Sequence, residues 1–275
     1  EGSDPQALLC SLIKQIEEEP KIRVYRGTEI KDFSGYIGNY TTTISIAEGS
    51  TEEIEHGVVI LATGGVEYRP IEYLGDQSDR VLTQLDLEKN IAKGEVDVKN
   101  LKLVVMIQCV GSREDDHMYC SRICCSVALK NALAFLDYNP DGQVTIIYRD
   151  IRTYGFKERL YTQARESGVV FIQYDDHNQP EVRIDENGQP VEVSIWESII
   201  GKQITLTPDM LMLSNPIVPC EAARELNNRL KVQLDSNGFF LESHVKFRPV
   251  DFSSEGVFMA GIAHYPKLLE ESIVQ

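Results

Sequence analysis

A doubly wound α/β fold is what this 275-residue chain predicts, and three observations predict it. Between residues 101 and 174, apolar strand-like runs alternate with helix-like runs in the order β-α-β-α-β, which builds a parallel sheet. Two short apolar strands, "VVILATGG" at 58–65 and "GVFMAGIA" at 256–263, bracket that alternation and each run into a glycine turn. Apolar residues make up 42% and charged residues 25%, so a chain of this length buries a core sizeable enough for one large domain or two small ones.

Taken in order, "DPQALLCSLIKQIEEEP" (4–20) reads as an amphipathic helix opened by Asp4 and Pro5 and stopped by Pro20. "KIRVYRGTEIKDFSG" (21–35) and "YIGNYTTTISIAEG" (36–49) read as strands, with Gly35 and Gly38 marking the turn region. "EHGVVILATGG" (55–65) is a buried strand ending in paired glycines, and residues 75–100 form a charged connection. Then come the strand "LKLVVMIQCVGSR" (101–113), the helix "CSRICCSVALKNALAFLDY" (120–138) and the strand "QVTIIYRDI" (143–151). The helix "KERLYTQARESG" (157–168) and the strand "VVFIQY" (169–174) complete the alternation. "PEVRIDENGQPVEVSIWES" (180–198) is a hairpin about Asn187–Gly188, followed by "QITLTPDMLMLS" (203–214) as one strand and "CEAARELNNRLKV" (220–232) as a helix. The tail from Gly256 is a short strand, a glycine turn and a helix.

Composition narrows the function. A net charge of −16 argues against a nucleic-acid partner, since phosphate binding wants a basic face. No apolar run approaches the ~20 residues of a membrane span, and no signal peptide is present. The chain starts without Met and stops at "EESIVQ", within a helix-like run, which reads as a piece of a longer protein. Four of the six cysteines fall in "CVGSREDDHMYCSRICC", residues 109–125. Clustering of this kind, without secretory signals, points to metal or redox chemistry in a reducing, cytoplasmic setting.

The spacing is Cys109, Cys120, then the adjacent pair Cys124 and Cys125. Four thiolates fit Zn²⁺ or an iron–sulfur cluster. Structural zinc usually takes two CxxC-like knuckles, and none occurs here. Adjacent cysteines suit a cubane, whose corners lie farther apart, better than one tetrahedral ion. A helix starting near Cys120 would favour the negative charge of a thiolate-bound cluster, and would place Cys120 and Cys124 on one face. A dithiol oxidoreductase using Cys124 or Cys125, a zinc-stapled scaffold or binding module, and four packed thiols stand as alternatives. Cys10 and Cys220, alone on predicted helices, read as packing residues. His117 reads as a solvated loop residue, and Arg113 and Arg122 flank the thiols.

The pattern CVGSR-x6-YCSRICC running on to "KNA", with "IIYRDIRTYGFKERLYTQARESGVVFI" and "GVFMAGIAHYPKLLEESIVQ", resembles the flavin-containing A subunit of heterodisulfide reductases. It also resembles the related flavin subunits of quinone-interacting membrane-bound oxidoreductase complexes. The resemblance implies an FAD/NAD(P)-binding, thioredoxin-reductase-like fold. Residues 1–98 and 216–275 would be parts of the FAD domain, and 99–215 an inserted NAD(P)-domain-like unit. It implies a [4Fe–4S] cluster on Cys109, Cys120, Cys124 and Cys125, and electron transfer between FAD and iron–sulfur centres. It implies, as partners, the other subunits of such a complex and electron-carrier proteins.

By the same resemblance, Thr63, Gly64 and Gly65 are flavin contacts, as are Gly261, Ile262, Ala263, His264 and Lys267. Ile262 stands where an acidic residue is usual. A cation such as Lys267 near a helix start is unfavourable without an anion, which suggests a phosphate or flavin oxygen beside it. No GxGxxG occurs in the chain, so FAD would bind this piece weakly or not at all. The ferredoxin-type CxxCxxC motifs of full-length relatives are also absent. Where a nicotinamide loop would stand, "QCVGSRED" keeps Gly111 alone, so a cluster takes the place of a nicotinamide site.

Overall fold

The structure, a computed structural model, describes residues 4–275 apart from 47–48, 76 and 185–189. Asp4 caps helix α1 (Pro5–Glu18) by accepting from the amides of Gln6 and Ala7, with Pro5 at the first helical position where its missing N–H costs nothing. Strands β1 (Glu29–Tyr36), β2 (Asn39–Ser45) and β3 (Thr51–His56) then form an antiparallel sheet in the order β1-β2-β3. The first strand begins at Glu29, well after Lys21, and turns back through Gly38, whose φ of 86° suits glycine.

Strands β4 (Val59–Leu61) and β5 (Gly65–Glu67) lead to β6 (Val81–Thr83) and helix α2 (Gln84–Lys93). The alternation follows as β7 (Leu103–Gln108), α3 (Cys124–Tyr138), β8 (Gln143–Tyr148), α4 (Glu158–Glu166) and β9 (Val170–Gln173). Beyond it lie β10 (Glu181–Ile184), β11 (Pro190–Glu197), β12 (Lys202–Leu206), β13 (Met210–Ser214) and β14 (Ile217–Pro219). Helix α5 (Ala222–Leu230), strand β15 (Val257–Met259) and helix α6 (Leu269–Val274) close the chain.

The central sheet is five-stranded, ordered β6-β13-β7-β8-β9, and parallel throughout. Period-two alternation sends Val104 and Met106 to one face, where Leu129, Ala132 and Phe135 of α3 cover them with Leu87 of α2 and Ala164 of α4. Val105 and Ile107 face the other way, onto Val193 and Ile195 of β11. That second face is covered by the antiparallel sheet β10-β11-β12 instead of by helices. The expected single strand at 203–214 is two strands in two sheets, parted at Pro208, which has no amide for a ladder. The connection at 75–100 supplies β6 and α2 to the central layer, ahead of residue 99. The turn expected at Asn187–Gly188 lies outside the described residues, while the strands it joins, β10 and β11, pair antiparallel.

The two glycine-turn strands meet: β15 pairs with β4 in parallel, Val257 against Val59 through Met259 against Leu61. A third cluster gathers beneath them, with Leu61, Val257 and Met259 packed among Phe240, Phe252 and Leu230. The chain is therefore an α/β fold built around a five-stranded parallel sheet. Among the described residues, no helix is long and apolar enough to cross a membrane.

Candidate redox site

Cys109 follows the last residue of β7 and takes φ 64°, a left-handed conformation that costs a non-glycine residue about 1–2 kcal/mol. Gly111, Arg113 and Arg122 repeat it at 66°, 62° and 65°, so the cysteine loop is bent sharply four times. Backbone strain on this scale persists only where surrounding bonds hold it. Val110 donates its amide to Ser214 O at the end of β13 (3.1 Å), and Ser112 Oγ donates to Tyr119 O (3.0 Å). Tyr119 donates its hydroxyl to Ile217 O (2.7 Å), and Ile217 N donates to Ser121 Oγ (2.9 Å). Arg149, buried just after β8, donates to Arg113 O (3.1 Å) and pairs with Glu114. The loop is thus tied to three strands.

The helix begins at Cys124, four residues after Cys120, so Cys120 and Cys124 do not share a helix face. Arg122 in its left-handed conformation is what prevents an earlier start. No side chain caps α3, and its positive end is left beside the thiols. Cys109, Cys124 and Cys125 are buried and Cys120 is half-buried. All four are free thiols, and Cys120 and Cys125 bear on both Cys109 and Cys124. Burial first, then Cys125 and Cys120, pushes the Cys109 thiol up to about 11 against the pull of Arg113. The interaction between the adjacent Cys124 and Cys125 thiols, foremost among the causes, raises Cys124 and lowers Cys125, whose Sγ donates to Asp150 O at 3.7 Å.

Among the described residues, no three His, Cys, Asp or Glu side chains are grouped tightly enough for a single metal ion. A cubane takes four thiolates spread farther apart, and four largely buried thiols near a helix start are donors of that chemistry. His117 adds no ligand, since its Nδ1 sits 3.0 Å from Gly111 O and its ring stacks edge-on to Tyr68 and Tyr119. It is half-buried, not the solvated residue expected. Cys10 is exposed on α1, contrary to a packing role, whereas Cys220 is half-buried against the third core cluster.

On the other side, Gly64 (φ 72°) and Gly261 (φ 71°) both need the left-handed conformation, and open space lies where a Cβ would stand on each. Gly65 is the opposite case: a Cβ there would meet Ile217 at 2.6 Å and Ile262 at 3.0 Å. Thr63 leads into this turn, and the chain from Gly261 through Ala263 makes one 3₁₀ turn. His264 and Lys267 are buried after it, and they line an open cleft of ≈ 630 Å³ with Tyr265, Glu270, Glu271 and Val274. These turns suit the ring end of a flavin, and no pyrophosphate loop accompanies them. Arg122 joins the two halves of the site. It pairs with Glu271 at 2.8 Å and lies 5.0 Å over Tyr154 and 5.5 Å over Tyr265. Sequence reasoning missed Arg149 and Glu242, neither of which sits in any motif.

No family model matches the chain. It is 36% identical over 239 residues to the A subunit of the H2:CoB-CoM heterodisulfide,ferredoxin reductase of Methanothermobacter marburgensis, covering 81% of this chain and 36% of that protein. The chain spans about a third of the length of the curated relatives it matches. Among solved structures it is similar to LpdA of Mycobacterium tuberculosis, with a TM-score of 0.62 at 16% identity over 98% of this chain and 52% of that one. It is also similar to T. acidophilum thioredoxin reductase, with a TM-score of 0.57 at 14% identity over 98% of this chain and 76% of that one. At such identities these likenesses show the fold.

Proposed function

This chain is homologous to about a third of the length of the heterodisulfide reductase A subunits, and on that premise we propose that it passes electrons between FAD and a [4Fe–4S] cluster within an oxidoreductase complex. Its curated relatives are oxidoreductases by name, and its fold is that of flavin-dependent reductases. One observation supports the finer reading most: interacting thiols beyond the carboxyl end of a central strand, joined through Arg122 to Glu271 of α6 and the Tyr265 ring.

Cys109, Cys120, Cys124 and Cys125 would hold the cluster, which supplies one-electron chemistry when bound. The protein's share is geometry, burial and charge. Arg113, whose charge pulls Cys109 down and which pairs with Asp150 at 2.8 Å, offsets thiolate charge at the strand end. Thr63, Gly64 and Gly65, with Gly261, Ile262 and Ala263, would form the backbone cradle for the flavin ring. We assign 1–98 and 216–275 to the flavin side and 99–215 to an inserted unit, extended by β6 and α2. The other subunits of the complex and small electron carriers such as ferredoxin would be its partners in the cytoplasm.

The test is anaerobic purification of the full-length protein with iron, sulfide and flavin counted. Cys124→Ser should contain about four iron and four sulfide fewer per chain than the wild type, with any other clusters of the full-length protein retained. Unchanged content in that variant would remove Cys124 from the site. The adjacent, buried Cys124–Cys125 pair favours a second reading, a dithiol centre. Iron-free protein that still cycles two thiols per chain would establish it.

A further inference from the structure

Lys267 is 3% exposed, and lysine is almost never so buried without a counter-charge. The groups its Nζ touches are neutral. Nζ donates to Gln275 Oε1 and approaches His264 Nδ1 at 3.5 Å, and it lies 4.1 Å over the Tyr265 ring. The carboxylates around the cleft are each engaged elsewhere. Glu271 pairs with Arg122 at 2.8 Å, Glu270 with Lys157 at 3.1 Å, and Glu242 lies 2.8 Å from His264 Nε2. Burial pushes His264 below its ordinary value, so its neutral ring donates from Nε2 to Glu242 and turns the Nδ1 lone pair to Lys267. The result is a carboxylate–imidazole–ammonium row whose cationic end opens on the cleft.

We propose that Lys267, oriented by His264 and Glu242, is the counter-charge for an anion formed in the adjoining cleft, namely the ring of the bound flavin after its reduction. This rests on the flavin reading above. A fixed ammonium with no anion beside it is costly in the empty and oxidised states. It is repaid when two electrons from the complex's iron–sulfur centres, or from dithionite in the test, enter the ring with one solvent proton and leave it a monoanion. Stabilising the reduced state selectively is what raises a midpoint potential. The groups that bear on the Lys267 charge are Glu271 and Glu242, which favour it, and Arg122, which opposes it; Glu242, Lys267 and Asp235 bear on His264. Burial first among these holds Lys267 down to about 8.

FAD-loaded full-length protein tests this, with sulfite as probe because its adduct leaves the same negative charge on the ring. Lys267→Met should lower the midpoint potential and weaken sulfite binding at least about tenfold, a 1.4 kcal/mol effect. Lys267→Arg, which keeps the charge, should restore both. Glu242→Gln should bind sulfite nearly as wild type at pH 6.5 and more weakly at pH 8, because it removes a charge that keeps Lys267 protonated. If Lys267→Met weakens binding of oxidised FAD but leaves potential and sulfite affinity unchanged, Lys267 serves the pyrophosphate and the proposal is overturned. FAD bound with all three quantities unchanged also overturns it. Full-length protein that takes up no FAD overturns the flavin reading itself.

Discussion

At the scale of single residues, the cysteine loop depends on Gly111. A Cβ there would lie 2.3 Å from the Tyr68 ring, in a backbone conformation with φ 66°. Gly111→Ala should therefore cost about 2 kcal/mol or more, read as a lower urea midpoint at unchanged slope. Lys267 gives a pH dependence. Its folded value of about 8 lies below the ordinary 10.5, so below pH 8 it is protonated whether folded or unfolded, and the penalty of its burial is present in full. As pH rises from 8 towards 10.5, the folded state sheds that proton first, and stability from this group increases. Ligand-free Lys267→Met should be more stable than wild type at pH 7, by a margin that shrinks across that window in urea titrations. The cysteines were legible in the sequence because four thiols in seventeen residues is a local pattern. Glu242 and Arg149 were not, because each acts on a partner more than twenty residues away that only the fold brings near.

At the scale of elements, α1 carries an apolar stripe that buries nothing: Leu8, Leu9, Leu12, Ile13 and Ile16 are all exposed. Leu9→Glu with Leu12→Glu should then leave the melting temperature within the range of a surface change, about 0.5 kcal/mol per site. A fall of several kcal/mol would show that the helix packs in solution. The periodicity that makes this helix legible says nothing about whether its apolar face finds a partner. The start of α3 was misplaced for a related reason. Residues 120–138 carry a helical pattern, yet the left-handed turn at Arg122 delays the helix to Cys124. The β-α-β-α-β run was readable from its long apolar strands, whereas β6, only three residues long, is set by pairing with β13.

At the scale of the whole molecule, the five-stranded sheet holds the deepest core, with Met106, Ile107, Ile146, Leu211 and Met212 all fully buried. Hydrogen exchange should find the slowest amides on β7, β8 and β13, and fast exchange along α1. Without a GxGxxG loop, residues 1–275 should hold FAD far more weakly than a full-length protein bearing one, by about a hundredfold or more in fluorescence titration. Stoichiometric FAD retained through gel filtration would refute this. The parallel pairing of β4 with β15 joins residues that lie far apart in the chain. Everything between them is an excursion that leaves and returns to one place. Closing so large a loop is entropically late work, favourable only once the intervening chain has condensed. Pulse labelling during refolding should accordingly protect Ile107 and Ile146 before Ile60 and Phe258. The excursion should also tolerate being moved: a circular permutant of residues 1–275 opened within it, with residues 275 and 1 joined, would bring β15 and β4 closer along the chain and hasten their pairing.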